Sequence, residues 1–287
     1  MENVKLFKKQ TKMANTNLNK AKKAKNDEFY TQLSDIENEL NHYTDQLKDK
    51  IVYCNCDNED SAFITYFKTQ PIKKLLHSSI QEGIDFRSPE SIKMLEECDI
   101  VVTNPPFSLF REYIAQLVEY DKKFIIIGNK NAITYKEIFK LIKDNKLWLG
   151  YNSPGISEFI QLDGLIKKFG NINWFANVEV TTRNEDLILY KKYKKTDYPK
   201  YDNYNAINVD KVKDIPINYK GAMGVPITFL GKHNPEQFEI LKCSAYSEPT
   251  HYGCGGLYVN GNKKYARILI KNKRVWEDGN WTKRNTY

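Results

Sequence analysis

The tetrapeptide Asn104-Pro105-Pro106-Phe107 has the residue types and spacing for chemistry on a planar amino group. Neither proline can donate a backbone hydrogen bond, and each disfavours helical backbone in the residue before it. We therefore expect an extended bend that fixes the Asn104 amide and the Pro105 carbonyl as adjacent acceptors. Accepting both hydrogens of an amino group would favour a pyramidal nitrogen whose lone pair can attack an electrophile. Phe107 offers a flat face for stacking.

The chain around this tetrapeptide alternates strand and helix patterns. Strands are predicted over 51–56, 72–76, 99–103 and 123–128, and helices over 61–69, 89–97, 108–120 and 134–144. Short Val- and Ile-rich runs joined by helices predict a doubly wound α/β sheet of parallel strands. Ligands bind at the carboxyl ends of such strands, where the tetrapeptide lies. Without that position, a strand-to-helix turn with no chemistry would explain the tetrapeptide about as well.

Further elements are predicted on either side of this region. One helix is expected over 35–49, with Ser34 as its N-cap. Strands over 174–180 and 187–193 predict an antiparallel hairpin, which is typical of the end of a Rossmann-like methyltransferase sheet. Another helix is expected over 235–241, and Asn260-Gly261 predicts a tight hairpin.

Charge is distributed unevenly over the 287 residues, whose net charge is +8. Residues 1–25 hold eight lysines and one glutamate, residues 26–150 hold 15 basic and 21 acidic side chains, and residues 151–287 hold 21 and 14. This pattern predicts a polyanionic partner that meets the two basic regions. A hydrophobic fraction of 41% excludes a disordered or collagen-like protein.

Several motifs along the chain resemble those of the EcoRI-type adenine-specific DNA methyltransferase family. The tetrapeptide by itself resembles the catalytic motif of the amino-group DNA methyltransferases. The resemblance runs from near Met13 to the C-terminal hairpin. Its longer motifs are Asn26-Asp-Glu-Phe-Tyr-Thr31, Asp99–Glu112, Trp174-Phe-Ala-Asn177, Met223-Gly-Val-Pro-Ile227, Asn234-Pro-Glu-Gln-Phe238 and Tyr265-Ala-Arg267.

The resemblance implies transfer of a methyl group from S-adenosylmethionine to N6 of a flipped-out adenine in duplex DNA. In that reading Asn104 and Pro105 accept the N6 hydrogens, Pro106 fixes the loop, and Phe107 stacks on the base. It also implies a set of cofactor-binding residues: Asp27, Phe29, Tyr30, Thr31, Asn55, Asp57, Asp85 and Phe86. No glycine-rich turn follows the first strand, and His77-Ser78-Ser79 stands where an acidic residue for the ribose is expected. Both departures lie at predicted cofactor contacts.

Three regions are predicted from these patterns: a basic arm over 1–25, a catalytic domain over 26–193, and a DNA target-recognition region over 194–287. The predicted DNA contacts are basic side chains of the arm and of the C-terminal hairpin: Lys20, Lys22, Lys23, Lys25, Lys263, Lys264 and Arg267. The Tyr- and Lys-rich segment 193–204 fits a nucleic-acid surface or a solvated loop almost equally well.

The expected protein is a cytoplasmic monomer from a bacterium or a phage, paired in function with a restriction endonuclease without a stable complex, or an orphan. No apolar run is long enough to span a bilayer, and no signal peptide is predicted. The five cysteines lack paired Cys-x-x-Cys spacing, so no metal site is expected. Methylation of RNA adenine or of a protein Gln amide, and a DNA-binding relative without catalysis, remain alternative functions.

Overall fold

The computed structural model describes residues 30–79, 83–152, 155–160, 165–245, 253–277 and 280–283. Several predicted site residues lie outside these ranges: Lys20, Lys22, Lys23, Lys25, Asp27 and Phe29. The predicted basic arm over 1–25 lies outside them as well, so its role stays a prediction.

The described ranges contain α-helices and strands in the following order. The helices are α1 (Leu33–Leu40), α2 (Thr44–Leu47), α3 (Ala62–Phe67), α4 (Pro89–Glu97), α5 (Phe110–Glu119) and α6 (Lys136–Lys143). The first eight strands are β1 (Tyr30–Thr31), β2 (Ile51–Cys54), β3 (Lys74–His77), β4 (Ile100–Thr103), β5 (Lys123–Asn129), β6 (Trp148–Leu149), β7 (Ile156–Ile160) and β8 (Ile166–Ala176). The others are β9 (Ala206–Asn208), β10 (Ala222–Pro226), β11 (Phe238–Cys243), β12 (Tyr258–Val259), β13 (Asn262–Lys263), β14 (Arg267–Asn272), β15 (Arg274–Glu277) and β16 (Asn280–Lys283).

The first eight strands form one sheet in the order β3-β2-β4-β5-β8-β7-β1, with β6 also paired to β8. Strands β2, β3, β4 and β5 pair in parallel, whereas β8 pairs antiparallel with β5, β6 and β7. The predicted α/β architecture is therefore confirmed. Its antiparallel part is larger than a terminal hairpin, because β1 adds to the edge of β7.

Helices cover both faces of this sheet. Ile100 and Val102 of β4 pack in one hydrophobic cluster with α1 and α3, while Val101 packs in the other with α4, α5 and α6. Successive side chains of a strand point to opposite faces, so a strand buried on both faces must be apolar throughout. This explains why β4 is buried at all four of its positions.

The antiparallel hairpin lies elsewhere than predicted. It is formed by β7 and β8, and residues 187–193 contain no strand. The backbone of residues 187–193 pairs instead with side chains. The Leu187 N–H donates to Gln237 Oε1 at 2.7 Å, and the Tyr193 N–H donates to Asn218 Oδ1 at 2.7 Å. The predicted strand over 187–193 was therefore wrong, whereas the one over 174–180 matches only the end of β8, at residues 174–176.

Two helix predictions also need correction. The predicted helix over 235–241 is wrong, since Phe238–Cys243 forms strand β11 and pairs antiparallel with β14. Ser34 lies inside α1 rather than capping it, and the N-cap position is held by Gln32, which makes no side-chain capping bond. A short 3-10 turn at Asn41–Tyr43 then divides the predicted helix over 35–49.

A second sheet, of order β11-β14-β10-β9, is built from the C-terminal part of the chain. Its β11 packs against α6, and Met223 and Ile268 share a hydrophobic cluster with α5 and α6. Tyr198 and Tyr201 are buried, so the Tyr- and Lys-rich segment contributes rings to the core rather than an open stacking surface. The boundary between the predicted regions at residue 194 therefore crosses a continuous core.

Candidate functional site

The crevice of the main sheet opens between β2 and β4. The chain runs from β2 outward to β3 on one side and then returns through α4 to β4 on the other side of β2. Loops at the carboxyl ends of two such strands depart in opposite directions and leave a space between them. The loops that follow β2 and β4 carry residues 55–58 and 104–107, so the topology brings two predicted motifs to one place.

One pocket at this crevice collects the predicted cofactor and catalytic residues. All ten of them that lie in the described ranges line it: Tyr30, Thr31, Asn55, Asp57, Asp85, Phe86, Asn104, Pro105, Pro106 and Phe107. Ser79, which the sequence analysis named only as a departure from an expected acidic residue, also lines the pocket. Sequence reasoning missed the other lining residues: Cys56, Asn58, Ser61, Ala62, Phe63, Ile84 and Leu109. A polar residue that ends a predicted strand or begins a predicted helix, such as Asn58 or Ser61, was the signal that could have found some of them.

Asp57 connects the loop after β2 to the loop after β4. Its carboxylate accepts a hydrogen bond from the Thr103 hydroxyl at 2.5 Å and others from Ser61 and the backbone N–H of Asn104. Burial of the carboxylate raises the pKa of Asp57 to about 7, although these three hydrogen bonds act to lower it. Asp57 therefore holds the position at which the Asn104-Pro-Pro-Phe segment begins.

The turn after β2 follows a course that requires no glycine. None of residues 55–58 has a positive φ, the backbone conformation that favours glycine. Ser61 then caps α3 by accepting from the Ile64 N–H at 3.3 Å. The loop after β2 therefore forms its part of the pocket wall without the glycine-rich turn that the family resemblance led us to expect.

Two buried polar groups belong to residues that line the pocket and lack a hydrogen-bond partner among the described residues. The Asn55 side chain accepts from the Tyr113 hydroxyl through its oxygen. Its Nδ2 and the Thr31 hydroxyl are buried and have no hydrogen-bond partner among the described residues. Leaving such groups unsatisfied costs about 1–3 kcal/mol each, so the wall fits a ligand that carries hydrogen-bond acceptors.

Arg87 holds Asp85 at the edge of the pocket. Its Nε and Nη2 donate to the two carboxylate oxygens at 2.8 and 2.9 Å, and its Nη1 donates to Glu112 at 2.9 Å. The guanidinium also lies over the Phe86 ring, 4.8 Å from its centroid. These contacts fix the Asp85 carboxylate and the Phe86 ring together. Sequence reasoning did not single out Arg87, although it stands two residues after the predicted aspartate.

The end of the second parallel strand supplies serines to this region. Ser78 is buried and shares a hydrogen bond of 2.6 Å with the Tyr53 hydroxyl, whereas Ser79 lines the pocket. The position expected for an acidic residue therefore carries a neutral hydroxyl.

Phe107 belongs to a cluster of three aromatic rings. It meets Phe159 of β7 at 6.3 Å and Phe169 of β8 at 6.4 Å between ring centroids, both edge to face. Phe159 and Phe169 are themselves 5.5 Å apart. Sequence reasoning missed both partners because they belong to the hairpin that it placed elsewhere.

The predicted C-terminal DNA contacts differ in exposure. Lys263 is exposed in β13, next to the Asn260-Gly261 turn. Lys264 and Arg267 both approach Asp210, at 3.7 and 3.2 Å, and the Arg267 side chain is only 10% exposed. Arg267 therefore has an intramolecular partner and supports the second sheet.

The described ranges contain neither a cluster of metal-ligating side chains nor a helix that could span a membrane. No group of three or more His, Cys, Asp or Glu side chains there is arranged to hold a metal ion. The helices of that part of the chain are too short or too polar to cross a bilayer.

The order of the main sheet and the crevice with its Asn-Pro-Pro-Phe loop define a Rossmann-like methyltransferase. A family model described as adenine-specific methyltransferase EcoRI matches residues 17–82 and 68–273. The chain belongs to this EcoRI family of adenine-specific methyltransferases.

Curated relatives match over nearly their whole lengths. The chain is 46% identical to the type II methyltransferase M.EcoRI of Escherichia coli, over 90% of this chain and 97% of that protein. It is 36% identical to M.MgeORF184P of Mycoplasma genitalium, over 90% and 99%, and 36% identical to M.MpnI of Mycoplasma pneumoniae, over 89% and 98%. Both of these are also type II methyltransferases. No solved structure matches the chain.

Proposed function

We propose that this protein transfers a methyl group from S-adenosylmethionine to N6 of an adenine in duplex DNA. The observation that carries this proposal is the single pocket that joins the Asn104–Phe107 loop to the polar wall around Thr31 and Asn55. Similarity to type II methyltransferases supports DNA as the substrate. A functional pairing with a restriction endonuclease is part of the proposal.

The pocket wall fits the proposed cofactor. The Thr31 hydroxyl and Asn55 Nδ2 are donors for a carboxylate or a hydroxyl group, and Asp85 and Phe86 would hold the adenine part. S-adenosylmethionine, when bound, supplies an electrophilic methyl group on a sulfonium centre. Ser79 is the polar group that stands where the ribose contact was expected to be acidic.

The Asn104-Pro-Pro-Phe loop would act on the amino group of the target base. The lone pair of an adenine amino group is delocalised into the ring, so this nitrogen is a poor nucleophile in the ground state. The Asn104 side-chain oxygen and the Pro105 carbonyl would accept hydrogen bonds from its two N–H groups and stabilise the tetrahedral geometry in which the lone pair is free. The nitrogen lone pair would form the new N–CH3 bond as the methyl–sulfur bond breaks, the electron pair of that bond would stay on sulfur, and one N6 proton would then pass to solvent. Pro106 keeps the loop extended, and Phe107 packs against the base.

The target adenine must leave the DNA helix to reach this loop, because N6 is stacked and paired inside a duplex. The aromatic cluster around Phe107 gives the extruded base an apolar wall. Asp57 would act through Asn104, since its carboxylate accepts a hydrogen bond from the Asn104 backbone N–H and so positions that residue. Phosphate contacts would come from Lys263 and from the basic arm at Lys20, Lys22, Lys23 and Lys25.

The test is incubation of the purified protein with methyl-labelled S-adenosylmethionine and with DNA, RNA or protein as separate substrates. We expect label in duplex DNA, recovered as N6-methyladenine after digestion. Label in RNA or in protein alone would contradict the proposal, and binding to DNA with no transfer to any substrate would indicate a relative without catalysis. Sedimentation in the same buffer tests the proposed monomer.

A further inference from the structure

The hairpin of β7 and β8 forms one side of the catalytic crevice. Thr31 of β1 pairs with Phe159 of β7, and Phe159 pairs with Lys167 of β8. Directly paired residues place their side chains on the same face of a sheet. Thr31 lines the pocket and Phe159 contacts Phe107, so this face of the hairpin is the one that borders the pocket.

Two adjacent lysines of β8 lie on opposite faces. Lys167 lies on the pocket-side face, with its ammonium group 5.3 Å from the centroid of the Phe169 ring. Lys168 lies on the other face and pairs with Glu158 at 3.0 Å, while its side chain is 80% exposed. Lys167 is exposed as well, yet it lies next to the ring that touches Phe107.

We propose that Lys167 binds a backbone phosphate that flanks the extruded adenine. This inference rests on the proposed function, because it requires a base to leave the duplex next to Phe107. It adds a DNA-binding residue that is separate from the basic arm and from the second sheet.

The physical argument concerns where the extruded nucleotide must enter. A nucleotide that rotates out of a duplex brings its two flanking phosphates to the mouth of the pocket, and a lysine there can neutralise the charge of one of them. Lys167 is a cation on the pocket-side face of the hairpin. The cation–π contact with the Phe169 ring places the ammonium group of Lys167 beside the aromatic cluster around Phe107.

The experiment compares Lys167→Met with the matched control Lys168→Met by DNA-binding titrations at several salt concentrations. Both substitutions remove one positive charge from the same strand, so a general charge effect is equal in the two variants. We expect the slope of log affinity against log salt to fall by about one in magnitude for Lys167→Met. It should stay unchanged for Lys168→Met, and Lys167→Arg should restore the wild-type slope.

A second measurement locates the phosphate. The probes are duplexes that contain the target sequence of the enzyme, with one phosphate, on one side or the other of the target adenine, replaced by a neutral methylphosphonate. One of these replacements should weaken binding by wild type and by Lys168→Met, but should have little further effect on Lys167→Met. Equal slope changes in the two lysine variants, or a methylphosphonate effect that persists in Lys167→Met, would overturn the inference.

Methylation by wild type separates this inference from the proposed function. If wild type transfers no methyl group to duplex DNA, both are overturned. If wild type methylates adenine normally and Lys167→Met keeps the full salt slope, only the assignment of Lys167 is overturned. Thermal unfolding of each variant checks that the hairpin is retained, and Lys167→Arg keeps the test valid if Lys167→Met is destabilised.

Discussion

Two aspartates organise different loops of this protein, and their surroundings shift their pKa values in opposite directions. Asp57 in the crevice is buried among neutral donors, and burial raises its pKa to about 7. Asp210 in the second sheet is largely exposed, and its pKa is lowered first by a hydrogen bond from Asn208, with further contributions from Lys264 and Arg267.

The difference shows how each region uses a carboxylate. Asp57 accepts hydrogen bonds from two hydroxyl groups and a backbone N–H, and no cation among the described residues forms an ion pair with it, so its carboxylate fixes loop geometry at an electrostatic cost. Asp210 compensates the charge of Arg267, which is nearly buried. In the crevice, the Asp57 carboxylate therefore positions the neutral backbone amide of Asn104. In the second sheet, the Asp210 carboxylate neutralises the charge of Arg267, whose side chain is mostly buried.

The largest effect is expected at the loop that Asp57 holds. Asn104→Ala should lower the rate of methyl transfer at least about 100-fold, because alanine offers no acceptor to the amino group. Cofactor and DNA affinities should change little, since Asp57 bonds to the backbone of this residue. Single-turnover transfer and equilibrium binding measure the two quantities.

Asn104→Asp is the matched control, because it keeps a side-chain oxygen at the same place. It should lose less activity than Asn104→Ala. Full turnover in the alanine variant would show that the amino group is activated elsewhere in the pocket.

The next effect separates the two aspartates by pH. The folded pKa of Asp57 lies above the ordinary value, so its contribution to stability is complete at low pH and is lost as the pH rises through about 7. The free energy of unfolding of wild type should therefore decline by on the order of 2 kcal/mol more than that of Asp57→Asn between pH 5 and 8. Urea titrations at several pH values measure it. Parallel pH profiles for the two proteins would contradict the raised pKa.

The smallest effect is expected at Asp210. Asp210→Asn should lower the free energy of unfolding by up to about 1 kcal/mol, because the carboxylate is mostly exposed and solvent weakens its ion pairs. The folded pKa is lowered, so this difference should be constant from pH 5 to 8 and should vanish only in acid, as the pH falls through that pKa. A difference that changes between pH 5 and 8 would remove the contrast with Asp57.

Local sequence patterns predicted the elements that depend on neighbouring residues. Helix α4 begins and ends as predicted, because Ser88 accepts a capping bond from the Ser91 N–H and proline follows at the first helical position. Asn260 and Gly261 both adopt positive φ, at 50° and 76°, as a tight hairpin turn requires. These features need no distant partner, so the sequence reveals them.

Some sequence patterns fit two different structures, and neighbouring residues alone do not determine which of the two forms. The alternation in 187–193 fits a strand, and Leu187 and Leu189 do pack against the core while Ile188 is 84% exposed. The backbone nevertheless pairs with Gln237 and Asn218, residues that no local pattern connects to this segment. Arginine is likewise a residue type that is common at DNA contacts, but within this protein Arg267 forms an ion pair with Asp210.

Local residue patterns were enough to predict the class of the fold, the parallel strands and the Asn-Pro-Pro-Phe loop after a buried strand, because these follow from hydrophobic period, capping and proline sterics over a few residues. Other contacts join distant parts of the chain: Asp57 meets Thr103 across 46 positions of sequence, and Phe107 meets the β7–β8 hairpin. Such contacts depend on which strands lie side by side, and strand order is set by the packing of the whole sheet rather than by any local segment.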